Sequence, residues 1–207
     1  HSSIPTIGNF QKAEDGKRFN TFQMMTSRLR QTHQAYIHYD MAVRSFYEDR
    51  LWESENQLDR AFQMAMNQAP FYNLRGLIEI KKGNLYNAEI QLRRAIEIDP
   101  EYQPAFHAMG FIHYLNRNYS LALSYLKKSL TLYPRNPPSH YFAGMSYYKM
   151  RTYREAIPHL EAFASANTKH PEVFGTVGIC YESVGNLESA YIAYKRQLEI
   201  APSTELG

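Results

Sequence analysis

One cysteine in 207 residues cannot close a disulfide within the chain, so order here must come from packing. That cysteine, Cys180, stands two residues after Gly178 in a helical pattern where a small buried side chain fits, which reads as packing rather than a reactive thiol. Cysteine scarcity suits a reducing compartment, or a periplasm that needs no bridges. No apolar run approaches the roughly 18 residues of a membrane-spanning helix, and no segment at the start reads as a signal peptide. The chain does not open on methionine, which reads as processing or excision from something longer. Charge of one sign is lacking too. The formal net charge is +3, and the basic pairs Lys81-Lys82, Arg93-Arg94 and Lys127-Lys128 sit among acidic or polar neighbours, so they read as solvated helix faces and not as a nucleic-acid stripe.

Catalytic motifs are missing as well. His33 and His38 stand five apart and His107 and His113 six apart, and no two of the eight histidines stand at helical ligand spacing. There is no HExxH sequence, no phosphate loop and no GxSxG elbow. The expectation is a chain that is not an enzyme, with no metal and no cofactor.

What the sequence has instead is a period. Sliding it against itself by 34 aligns Ala42, Gly76, Gly110, Gly144 and Gly178, then Ser54, Ala88, Ala122, Ala156 and Ala190. A third column reads Leu58, Leu92, Leu126, Leu160 and Tyr194, and a fourth Ala61, Ala95, Ser129, Phe163 and Gln197. Pro100, Pro134 and Pro202 close three of the units. Small residues at fixed places let two antiparallel helix backbones approach, and the large ones fill the space beside them. In the third unit the pattern predicts a first helix over about 103–116, a turn at Arg117-Asn118 and a second helix over about 120–132. Lys82-Gly83-Asn84 and Val184-Gly185-Asn186 read as equivalent turns, and Pro158 falls early enough in its helix to distort it little.

These columns resemble the tetratricopeptide-repeat (TPR) family over about four fifths of the chain. The resemblance implies an all-α fold, a right-handed α-solenoid of about five helix-turn-helix repeats over 35–68, 69–102, 103–136, 137–170 and 171–204. The first repeat is degenerate: it lacks the closing proline and has Asp49-Arg50 where a glycine turn is expected, with Trp52 just beyond. Phe163 is too large for its column and should push the fourth and fifth repeats slightly apart or swing outward.

In such superhelices the first helix of each repeat lines a concave groove with its positions two, five, nine, twelve and thirteen. The resemblance therefore implies a partner-binding surface of Tyr36, Tyr39, Phe46, Tyr47, Asn73, Leu77, His107, Phe111, Tyr114, Tyr141, Met145 and Tyr148, with Val43, Ile80, Lys81, Leu115, Lys149, Glu172, Ile179 and Glu182 around them. Tyrosines supply contact area at low entropy cost, so a protein or peptide ligand is the expected partner. The two-carboxylate clamp of chaperone-binding TPR domains is not assembled, because the fifth positions of repeats one to four hold Tyr39, Asn73, His107 and Tyr141.

Residues 1–34 belong to no repeat. Ile4 to Gly8 reads as extended, and 17–34 can form a helix that caps the first repeat or lies in the groove. At the other end the last helix, with Tyr191, Tyr194 and Leu198, has no polar cap, which allows a homodimer through the terminal repeat. Phe22, Ala35-Tyr36, Tyr39-Asp40 and the run Phe71 to Gly76 also resemble the region after the catalytic domain in bacterial HExxH zinc metallopeptidases with TPR tails. That resemblance implies a non-catalytic tail of a periplasmic or membrane-associated protease.

Overall fold

The computed structural model describes residues 7–202, with side chains from residue 20 onward. Among the described residues there are ten helices and no strand. They are α1 (Ile7–Tyr47), α2 (Leu51–Met64), α3 (Ala69–Lys81), α4 (Leu85–Ile98), α5 (Gln103–Leu115), α6 (Tyr119–Leu132), α7 (Pro137–Lys149), α8 (Tyr153–Ala166), α9 (Pro171–Ser183) and α10 (Leu187–Ile200). Each odd-numbered helix packs on the even-numbered one that follows it and on the end of the pair before, so the chain is an all-α solenoid of helix-turn-helix repeats.

The turn inside each pair is one repeated device. Asp49, Gly83, Arg117, Arg151 and Gly185, spaced by 34, all adopt positive φ between 59° and 83°. Around each of them the next amide reaches back five residues and its own amide reaches back three, as in Asn84 N to Glu79 O (2.8 Å) and Gly83 N to Ile80 O (2.9 Å). This is the Schellman arrangement, which satisfies the last carbonyls of the first helix and reverses the chain. Prolines in the first turn of α3, α5, α7 and α9 start the next pair, where a missing N–H costs nothing.

Close approach explains the glycine column. A Cβ placed on Gly76, Gly110 or Gly144 would stand 2.5–2.7 Å from the side chain of Leu92, Leu126 or Leu160, and one on Gly178 would strike the Tyr194 ring at 2.5 Å. In the first pair, where alanine replaces glycine, the Ser54 hydroxyl donates to the Ala42 carbonyl at 2.8 Å across the same seam. Leu58, Leu92, Leu126 and Leu160 are fully buried, as is Cys180, whose thiol burial pushes up to about 11. Pro158 lies inside α8, and the helix continues unbroken through it.

Three expectations need correction. Ile7 and Gly8 are helical rather than extended, because α1 has already begun there; Ile4, Pro5 and Thr6 lie outside the described residues. No boundary separates residues 17–34 from the first repeat: α1 is one helix of 41 residues, and its exposed stretch 20–34 neither folds back as a cap nor lies in the groove. Tyr194 is not part of an open terminal face, since its ring packs on Gly178 and its hydroxyl donates to Glu182 at 2.8 Å.

Candidate functional site

The odd-numbered helices form the inner row. From α1 to α7 they touch one another in sequence, α1 with α3, α3 with α5 and α5 with α7, while no two even-numbered helices approach to the same extent. The side of the solenoid with the shorter helix-to-helix path is the concave one. Side chains three and four residues apart on those helices, such as His107, Phe111 and Tyr114, share one face and point along it together.

Two aromatic clusters stand on this row. At the N-terminal end Tyr36, Tyr39 and Phe71 meet with ring centroids 5.1–5.7 Å apart, and the Tyr36 hydroxyl donates to Gln68 at 2.9 Å. Burial, reinforced by the neighbouring Tyr102, raises the Tyr39 hydroxyl well above its ordinary range. In the middle Phe142 is the hub: His107, Phe111, Tyr114 and Tyr141 lie 5.0–5.9 Å from its ring. Tyr141 continues to Phe163 at 5.0 Å and to His170 at 6.2 Å. Tyr148 stands beside Tyr153, 6.0 Å away.

The hydroxyls of Tyr114, Tyr141 and Tyr148 have no hydrogen-bond partner among the described residues. Burial raises Tyr114 and Tyr141 above the ordinary tyrosine value, so both stay protonated and available as donors. Beneath them runs a buried polar seam. Gln103 donates to the Ser129 hydroxyl at 2.6 Å, Ser129 meets Ser139 at 2.8 Å, and Ser139 meets His107 Nδ1 at 2.8 Å. Burial lowers His107 below the usual histidine value, which keeps the imidazole neutral within this seam.

Most of the expected groove residues fall where the register puts them. Tyr36, Tyr39, Leu77, His107, Phe111, Tyr114, Tyr141, Met145 and Tyr148 are half-buried on the inner row, and Tyr47 is exposed. Two do not fit. Phe46 is 8% exposed because the Lys81 ammonium sits 4.4 Å over its ring, held there by the Phe46 carbonyl and Asp49. Asn73 is 5% exposed within the α3 packing, so neither side chain is open on the surface of the row. Phe163 is neither fully out nor absorbed: it fills the space between Tyr141 and His170, and α7 and α9 lack the direct packing that joins the earlier odd helices. Phe142, the hub, was missed. Its column reads Asp40, Leu74, Ala108, Phe142 and Thr176, and the one aromatic residue in it was the available signal.

The family described as "Tetratricopeptide repeat" matches residues 171–204, and the one described as "Anaphase-promoting complex, cyclosome, subunit 3" matches residues 81–163. Among solved structures, the chain is similar to YrrB, described as a TPR protein with an unusual peptide-binding site, at 20% identity over 81% of this chain and 86% of that one, with a TM-score of 0.65. PilF of Pseudomonas aeruginosa aligns at 14% identity over 82% and 78%, with a TM-score of 0.72, and MamA at 17% over 80% and 91%, with a TM-score of 0.66. At these identities the likeness is one of fold. No curated protein matches the chain by sequence.

Proposed function

The chain belongs to the tetratricopeptide-repeat family and is a protein-interaction scaffold, and on that premise we propose that the inner row of α3, α5 and α7 binds an extended or helical peptide segment. The observation that carries this reading is the pair Tyr114 and Tyr141. Their rings are fixed against Phe142 and their hydroxyls are unpartnered among the described residues, so they offer hydrogen-bond donors on a rigid apolar bed. A peptide laid along them would be held by its carbonyls, while Phe111, Met145 and Leu77 take its apolar side chains. Ring positions already set by packing lose little entropy on binding.

The test keeps the rings and removes the hydroxyls. Peptides selected from a random library on the parent protein should bind Tyr114→Phe with Tyr141→Phe about tenfold more weakly, in keeping with the roughly 0.5–1.5 kcal/mol of each ordinary hydrogen bond. The melting temperature should stay put. Equal affinity for parent and variant would remove these tyrosines from the binding surface.

The tail of a zinc metallopeptidase is a second reading, and no observation beyond the residues quoted for it favours it. Phe71, Leu74 and Gly76, the core of that resemblance, are all engaged in packing against α1, α2 and Leu92.

A further inference from the structure

The exposed half of α1 carries the same seam as its packed half. Phe22, Leu29, Tyr36 and Val43 recur every seven residues, and Met25, Thr32, Tyr39 and Phe46 follow each of them by three. This is an unbroken a/d heptad pattern, the spacing that fits one helix along another. Over Tyr36 to Phe46 the seam is covered, because these four side chains pack with Phe71, Leu74 and Ile78 of α3. Over 22–32 it is open: Phe22 is 65% exposed, Met25 59% and Leu29 68%. Thr32, the remaining seam position of this stretch, is half-buried, and its hydroxyl is satisfied by the Arg28 carbonyl at 2.9 Å.

The flanks say what would cover it. Arg28 occupies a g position and His33 an e position, Arg30 lies alongside, and no acidic residue occurs between Phe19 and Tyr39. Among the described residues Arg28 and Arg30 have no carboxylate partner, a state they share with Arg44, Arg60, Arg117, Arg135, Arg151 and Arg154, but they alone flank this open apolar seam. A second copy would bring no carboxylate to these positions: parallel pairing sets Arg28 against His33, and antiparallel pairing sets Arg28 near Arg28. We infer that the overhanging face of α1 docks an amphipathic helix of another protein, with apolar a and d residues and glutamate or aspartate at the flanking positions, as a short coiled coil. This surface continues the α1 seam away from the α3, α5 and α7 stretch proposed to bind a peptide, and extends the solenoid beyond its first repeat.

The probe is a synthetic labelled helix about four heptads long with leucine at a and d and glutamate at e and g, compared with the same peptide carrying lysine at e and g. In fluorescence anisotropy the acidic peptide should bind the intact chain, more weakly as salt is added, and the basic peptide should not. Phe22→Gln with Leu29→Gln should weaken the acidic peptide at least about tenfold with no change in melting temperature, because both side chains are exposed and glutamine keeps the helix. Equal binding of both peptides, or a variant that binds like its parent, would overturn the inference. So would self-association of the parent that the variant loses, which makes a second copy the occupant, or adsorption to phosphatidylglycerol vesicles without peptide binding, which makes it a membrane surface.

Discussion

Three histidines are held below the ordinary value, and each for a named reason. Burial comes first for His107, His113 and His159; Arg93 adds to it at His113 against the opposing pull of Glu89, and His140 and Lys127 add to it at His159. His159 shows the geometry best. Its Nδ1 lies 3.0 Å from Nδ1 of His140, whose Nε2–H donates to the Pro134 carbonyl at 2.8 Å, so His140 accepts and His159 donates. Its ring also stacks on Tyr147, and Lys127 lies over the same tyrosine. Because the native chain holds His107, His113 and His159 below the ordinary value while the unfolded chain protonates them near pH 6.5, their contribution to stability is complete above about 6.5 and is lost as pH falls below it. Thermal melts should therefore be flat between about pH 7 and 8 and drop progressively from about 6.5 to 5.5, and a flat profile across both ranges would mean these rings are not held neutral. None of this was legible in the sequence. His140 and His159 are 19 residues apart and meet only because α7 and α8 are antiparallel.

The helices and their seams, by contrast, were nearly all legible, because period 34 repeats one packing solution. The expected helices of the third repeat agree with α5 and α6 to within a residue at each end, and the turns fall at the expected places. What the pattern could not reveal is that the left-handed turn residue need not be glycine. Asp49, Arg117 and Arg151 accept that conformation at a cost of about 1–2 kcal/mol each, offset by the Schellman bonds that surround them. The extent of α1 was missed for a related reason: residues before Ala35 have no counterpart 34 residues earlier, so repetition says nothing about them. Replacing a helical glycine normally gains up to about 1 kcal/mol through propensity, yet Gly110→Leu should lose about 1–3 kcal/mol net, because even its Cβ would overlap Leu126. Chemical denaturation reads the difference, and a variant as stable as its parent would mean that α5 and α6 are not packed in this register.

At the scale of the molecule, the inner helices carry aromatic side chains on a shared face, and that face is the surface proposed to bind a peptide. The column pattern placed nine of the twelve expected groove residues on the inner row half-buried, because groove positions follow from register alone. It failed at Phe46 and Asn73, where a neighbour across the repeat boundary, Lys81 in one case and the α3 packing in the other, covers the side chain. Such covering depends on which residues meet between repeats, and a column read one position at a time does not contain it. The two surfaces proposed, the inner row and the overhang of α1, can be told apart by where a ligand slows amide exchange. The decisive measurement is hydrogen–deuterium exchange of the chain with and without a peptide selected on it. Slowed exchange should concentrate in α5 and α7, around Phe111, Tyr114 and Tyr141. Slowing confined to the even-numbered helices, with α5 and α7 unchanged, would mean that the solenoid binds through its outer face and that the aromatic row serves packing alone.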